Sequence, residues 1–180
     1  MNILTKEFFE RDTLIVAKEL LGSLLVHIDS GIRRSGIIVE TEAYMQNDPA
    51  CHAYKGRTKR AVTLFKEPGL SYVYFIYGMY YCMNIVTEPF DTAGAVLIRA
   101  LEPVENLENS NGPGKLCRAM NITKDLNEVN VCSPNSPLIV CEGKNIDEKQ
   151  IVTTTRIGIK NGVDFPWRFY LKDNLFVSKK

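Results

Sequence analysis

Two glutamates stand two residues apart in GIIVETEAY, residues 36 to 44. Strand alternation puts Glu40 and Glu42 on one face. A carboxylate there can act as a general base. A strand whose other face carries Ile37, Val39 and Thr41 could equally turn both acids to solvent. A second signal is Arg99 inside VLIRALE. An arginine in a buried strand needs a partner, because an unpaired buried charge is costly. Glu42 or Glu40 is the natural candidate. A third is a cluster of tyrosines, Tyr72, Tyr74, Tyr77, Tyr80 and Tyr81. Tyrosines in strands ordinarily pack across strands. Tyr77 is different: it precedes Gly78 at an expected bend, where a ring finds little core and could wedge between stacked bases. The fourth is the stretch from Pro49 to Lys66, which holds Lys55, Arg57, Lys59, Arg60 and Lys66 and no acid. Such a loop is either a solvated surface or a contact for phosphates.

These side chains need a frame. Asp12 is a fitting cap for a helix over 13–21, which Gly22 ends. LLVHI (24–28) reads as a strand, with a turn at Ser30–Gly31 and His27 as an ordinary strand residue. GIIVETEAY follows as a strand broken by Asn47, Asp48 and Pro49. Residues 70–87 are strand-rich with a bend near Gly78. GAVLIRALEP (94–103) is a buried strand ended by Pro103, and 115–122 a helix behind a GPG turn. TTTRIGI and RFYL give short strands near the end. The expected fold is α+β: a single domain over 1–180, with a curved, mostly antiparallel sheet, flanking helices and a protruding β-hairpin.

Composition narrows the class. The chain has 180 residues, 22 Lys and Arg against 21 Asp and Glu, and 45% hydrophobic residues. That is ordinary for a globular protein and excludes disorder, coiled coil and collagen-like repeats. Net charge is +1, so nucleic-acid binding cannot be argued from the whole chain. The uncharged run 68–87 is too rich in tyrosine and other polar groups for a membrane span. The first residues, MNILTKEFFERD, contain no apolar stretch of a secretory signal. Five cysteines, with no CxxC, fit free thiols in a reducing, intracellular compartment. With two histidines and scattered cysteines, no metal site is expected.

Seven ordered blocks then carry a resemblance: VETEAY, HAYKGRTKR, YVYFIYGMYYCMN, VLIRALEP, GPGKLCRAMNI, RIGI and PWRFY. Together they closely resemble the 3-methyladenine (alkyladenine) DNA glycosylase family over about residues 39 to 170. The resemblance implies a DNA repair enzyme that flips alkylated purines out of duplex DNA and hydrolyses the N-glycosidic bond. It implies Glu42 as the base that activates water and Arg99 as the residue that positions it, with Glu40 structural. Tyr44, His52 and Tyr74 match the walls of the base pocket, and Asn84 a residue that crowds out guanine. His52 is also expected to offer its backbone N–H to the base edge. Tyr77 matches the side chain that fills the gap in the duplex. Arg57, Lys59 and Arg60 are candidates for phosphate contacts on local charge.

No lysine matches a Schiff-base nucleophile, so the enzyme is expected to be monofunctional, without cofactor or metal, leaving an abasic site. The expected partner is double-stranded DNA containing damaged bases, met by a cytoplasmic monomer (nucleoid-associated if bacterial) with no membrane contact. The loop MQNDPAC and the segment EPFDTAG depart from the family's pattern, which leaves lesion preference open. Two rivals share the same residues: a non-enzymatic nucleic-acid-binding module and a hydrolase of free nucleosides.

Overall fold

The computed structural model describes residues 2–179. Its eight strands are β1 (Leu24–Asp29), β2 (Ile32–Met45), β3 (Ser71–Ile76), β4 (Tyr80–Val86), β5 (Gly94–Glu105), β6 (Leu138–Cys141), β7 (Ile151–Thr154) and β8 (Arg168–Leu171). They form one sheet in the order β3-β4-β5-β2-β1-β6, with β8 paired to β2 and β7 to β8. Neighbouring strands run antiparallel. Three short helices accompany them: α1 (Lys6–Phe9), α2 (Thr13–Glu19) and α3 (Pro113–Ala119). None is long and apolar enough to cross a membrane. The architecture is the expected α+β one.

Asp12 caps α2 as its residue type implies, its carboxylate accepting from the N–H groups of Leu14 and Ile15. Val16 and Ala17 of α2 and Leu116 and Cys117 of α3 bury against Ile38, Met83 and Ile98 of the sheet. α3 starts and stops earlier than the sequence suggests. Pro113 takes the first turn, where its missing N–H costs nothing, and Asn121 adopts φ 54° so that Ile122 N–H reaches back to Cys117 O (2.7 Å). Strand β6 has no counterpart in the sequence reading. Pro103 does not end β5; it lies opposite Gly36 beside a register shift, where a ladder hydrogen bond is dispensable.

The middle of β2 positions the chemistry. One of its edges is covered by β5 along most of its length. The other is shared, by β1 over 32–37 and by β8 over 40–42. Both edges are therefore closed around Glu40 and Glu42, and neither side chain is exposed. This corrects the solvent-facing alternative. Two opposite register shifts between β2 and β5 bracket Glu40. Val39 is extra on one strand and Arg99 on the other, so the arginine is re-aimed at the two acids.

A second, smaller core lies under the loop from 51 to 65. Cys51, Ala53, Leu64, Phe65, Tyr72, Val86 and Ala95 pack there, with Tyr44 and Tyr74 half-buried against them. That core holds the loop, and with it His52, against the sheet.

Candidate active site

Glu42 and Glu40 share Arg99. Its Nε donates to Glu40 Oε1 (3.1 Å), and its Nη1 stands 3.3 Å from Glu42 Oε1. Burial alone would lower the pKa of Arg99, but Glu42 and Glu40 outweigh it and raise it. Glu40 also accepts from Arg168 Nη1 (2.8 Å) and from the Ser178 backbone N–H (2.7 Å). Glu42 instead accepts from the Tyr44 hydroxyl (2.8 Å) and the Ile157 N–H (2.8 Å). Burial, and next the charge of Glu42, push the Tyr44 hydroxyl far above the ordinary tyrosine range, so it stays a donor.

Beside Glu42 lies a cavity of about 610 Å³, a size suited to a nucleotide-sized ligand. Its wall includes Tyr44, His52, Tyr72, Tyr74, Tyr77, Tyr80, Asn84 and Arg99. Glu42 itself stands one layer behind that wall, while its three partners Tyr44, Arg99 and Ile157 all line the cavity. Lys115 and Lys160 also line it, and no acidic side chain does.

The aromatic wall is rigid. His52 meets the Tyr72 hydroxyl through Nδ1 (2.8 Å) and the Tyr74 ring edge-on, with centroids 4.7 Å apart. Burial first, and the charge of Arg60 second, push His52 down to about 4, so the imidazole is neutral at physiological pH. Burial pushes Tyr72 up to about 12 and Tyr74 higher still. His52 opens a 3-10 turn, whose first N–H groups the turn itself leaves unsatisfied. Asn84 lies opposite Tyr72 in the β3–β4 ladder and donates to its carbonyl (3.1 Å), which fixes the amide at the cavity.

Tyr77 occupies the turn between β3 and β4 and is 76% exposed. Its φ of 53° and that of Gly78, 67°, are both left-handed. For a tyrosine this costs on the order of 1 kcal/mol and is held by the closure of the turn. The three basic candidates differ. Arg57 pairs with Asp91 and lies over the Phe65 ring; Arg60 lies over the Tyr74 ring. Lys59 is exposed and without a partner among the described residues.

The sequence reading missed a second buried pair. Arg156 donates to both oxygens of Asp48 and to the Ala43 carbonyl (3.0 Å), with both side chains of the pair out of solvent. Its guanidinium lies over Tyr44, 4.6 Å from the ring centroid, and over Trp167. The reasoning applied to Arg99, that an arginine in a β-rich run demands a partner, points to Arg156 in TTTRIGI as well. Among the described residues no group of three or more His, Cys, Asp or Glu side chains converges as a metal would need.

Residues 7–175 match the family model for methylpurine-DNA glycosylase. Three similar relatives each carry the description "Putative 3-methyladenine DNA glycosylase". That of Carboxydothermus hydrogenoformans is 49% identical over 191 residues, covering 99% of this chain and all of the relative. That of Legionella pneumophila (strain Lens) is 47% identical over 184 residues, covering 99% and 100%. That of Clostridium perfringens (strain SM101) is 45% identical over 203 residues, covering 98% and 99%.

Proposed function

The chain belongs to the methylpurine-DNA glycosylase family and is a hydrolase of N-glycosidic bonds that excises alkylated bases in DNA repair; on that premise we propose that Glu42 activates the attacking water and that the aromatic cavity receives the extruded purine. The observation that carries this reading is the conjunction of a buried carboxylate with a cavity wall built from its own hydrogen-bond partners. Three of the roughly four lone-pair positions of Glu42 are taken by Tyr44, Ile157 and Arg99. In this reading the remaining one takes the attacking water once Tyr44, Arg99 or Ile157 shifts at the cavity wall.

The step balances simply. Water oxygen bonds to C1′ of the deoxyribose as the C1′–N bond breaks. The bonding pair leaves with the purine, which in a cationic lesion becomes neutral, and the water proton passes to Glu42. A base alkylated at N3 or N7 is already a good leaving group, so water, a base and positioning suffice. The faces of Tyr44 and Tyr74 and the edge of His52 suit such a base, since aromatic faces attract cations by about 0.5–2 kcal/mol. A neutral His52 adds no repulsion. In this reading the His52 N–H contacts the base edge, and Asn84 rejects guanine by crowding its exocyclic amino group.

Tyr77, in its left-handed turn, fills the gap in the duplex from the minor groove. Lys59, Lys115 and Lys160 supply phosphate contacts near the cavity. Arg57 and Arg60 already have partners in the free protein and enter that role only by leaving them. No lysine is assigned to covalent chemistry, so the product is an abasic site in an unbroken strand.

The test is a duplex with a single 7-methylguanine. The enzyme is expected to release the free base, to leave the strand intact until hot alkali, and to lose affinity steeply as salt rises. Strand scission without alkali would refute the monofunctional assignment. A flat salt response, with equal activity on the free nucleoside, would favour the nucleoside-hydrolase rival.

A further inference from the structure

We propose that Arg60 is a specificity-determining residue, which sets how far the cavity prefers a cationic base over a neutral one by holding an uncompensated positive charge over the Tyr74 ring. The inference rests on the reading of Tyr44 and Tyr74 as walls of the base pocket. Both rings line the cavity, and each has a guanidinium over it: Arg156 at 4.6 Å from the Tyr44 centroid and Arg60 at 5.0 Å from that of Tyr74. Neither arginine lines the cavity itself, but Arg60 also bonds the Tyr72 hydroxyl and its charge reaches His52, both on the cavity wall.

The two differ in compensation. Arg156 is neutralised by Asp48, which it grips through both carboxylate oxygens. Arg60 has no ion-pair partner among the described residues. The Tyr44 wall therefore carries a balanced pair against its ring. The Tyr74 wall carries a net positive charge against its ring. A cation held at a ring weakens the attraction of that wall for a second cation in the pocket.

The consequence has opposite signs for two kinds of lesion. A purine alkylated at N7 brings its own positive charge, and Arg60 opposes its entry. Hypoxanthine enters neutral and takes the electron pair of the breaking C1′–N bond, so negative charge develops on it and Arg60 favours its departure. Arg60 thus narrows the gap between the two, whereas removing it widens the gap.

Arg60 is exposed, so its replacement leaves the fold intact. Arg60→Gln and Arg60→Glu would be compared with wild type on two duplexes that differ only in one nucleotide, 7-methylguanine or hypoxanthine. The quantity read is kcat/KM for base release, with the salt dependence of duplex affinity measured alongside. The ratio of 7-methylguanine to hypoxanthine is expected to rise about 3-fold in Arg60→Gln and about 10-fold in Arg60→Glu, as expected for one charge held at a ring at a solvent-exposed site. The salt slope is expected to stay at the wild-type value. An unchanged ratio overturns the proposal. So does an equal loss on both lesions with a salt slope smaller by about one, the signature of a phosphate contact. Release of neither base by the wild type would instead overturn the assignment of the cavity on which the proposal rests.

Discussion

Glu40 and Glu42 occupy one strand, two residues apart, both closed to solvent and both bonded to Arg99. Their surroundings make them unlike. Glu40 is held between two guanidinium groups and a backbone N–H from Ser178, and Arg168 and Ser178 both lie away from the cavity. Glu42 shares one guanidinium and otherwise meets a hydroxyl and a backbone N–H, all on the cavity wall. The first arrangement balances charge and fixes three chain segments. The second presents a carboxylate to a ligand through partners that can rearrange. Burial and an ion pair do not identify a functional acid; what identifies it is where its partners face.

This contrast can be broken at either end. The largest effect is expected from Glu40→Gln. It leaves Arg99 and Arg168 short of an anion, and breaking a buried pair of this kind costs about 3–5 kcal/mol. Urea denaturation would read the loss, and a stability within 1 kcal/mol of wild type would show that Glu40 is not the structural member. Tyr44→Phe keeps the ring and removes one donor to Glu42. Excision is expected to slow about 10- to 150-fold, the worth of one hydrogen bond to a charged group, with little change in stability. A single-turnover rate equal to wild type would detach Tyr44 from Glu42.

The smallest effect concerns His52. Its folded pKa is depressed from 6.5 to about 4. Between those values the unfolded chain holds a proton that the folded chain does not. The stability His52 confers is therefore complete above pH 6.5 and is lost as the pH falls toward 4. NMR of the imidazole should show no titration near 6.5; a transition there would mean a solvated, chargeable ring and a pocket less suited to cationic bases.

The sequence already shows why Arg99 needs a carboxylate and why Tyr77 sits at a bend, because a buried charge and a ring beside Gly78 are local statements. The burial of both glutamates was not legible in that way. Alternation along β2 is disturbed by the paired register shifts at Val39 and Arg99, and the far edge of β2 is covered by β8, more than 120 residues later in the chain. The Asp48–Arg156 pair spans a similar distance, and Asp48 read simply as a strand breaker. β6 escaped notice because it is four residues long and follows a polar, Pro-containing stretch. Pro103 misled because its effect depends on whether a ladder hydrogen bond is needed there, and only the partner strand decides that.

The central claim is that the carboxylate of Glu42 does the chemistry while the aromatic cavity does the binding. Single-turnover base release by Glu42→Gln, at enzyme concentrations that saturate a 7-methylguanine duplex, separates the two. Base release is expected to fall on the order of 10³-fold, the usual worth of a positioned general base, with duplex affinity within a few-fold of wild type. Excision at the wild-type rate by a folded, DNA-bound Glu42→Gln protein would contradict it.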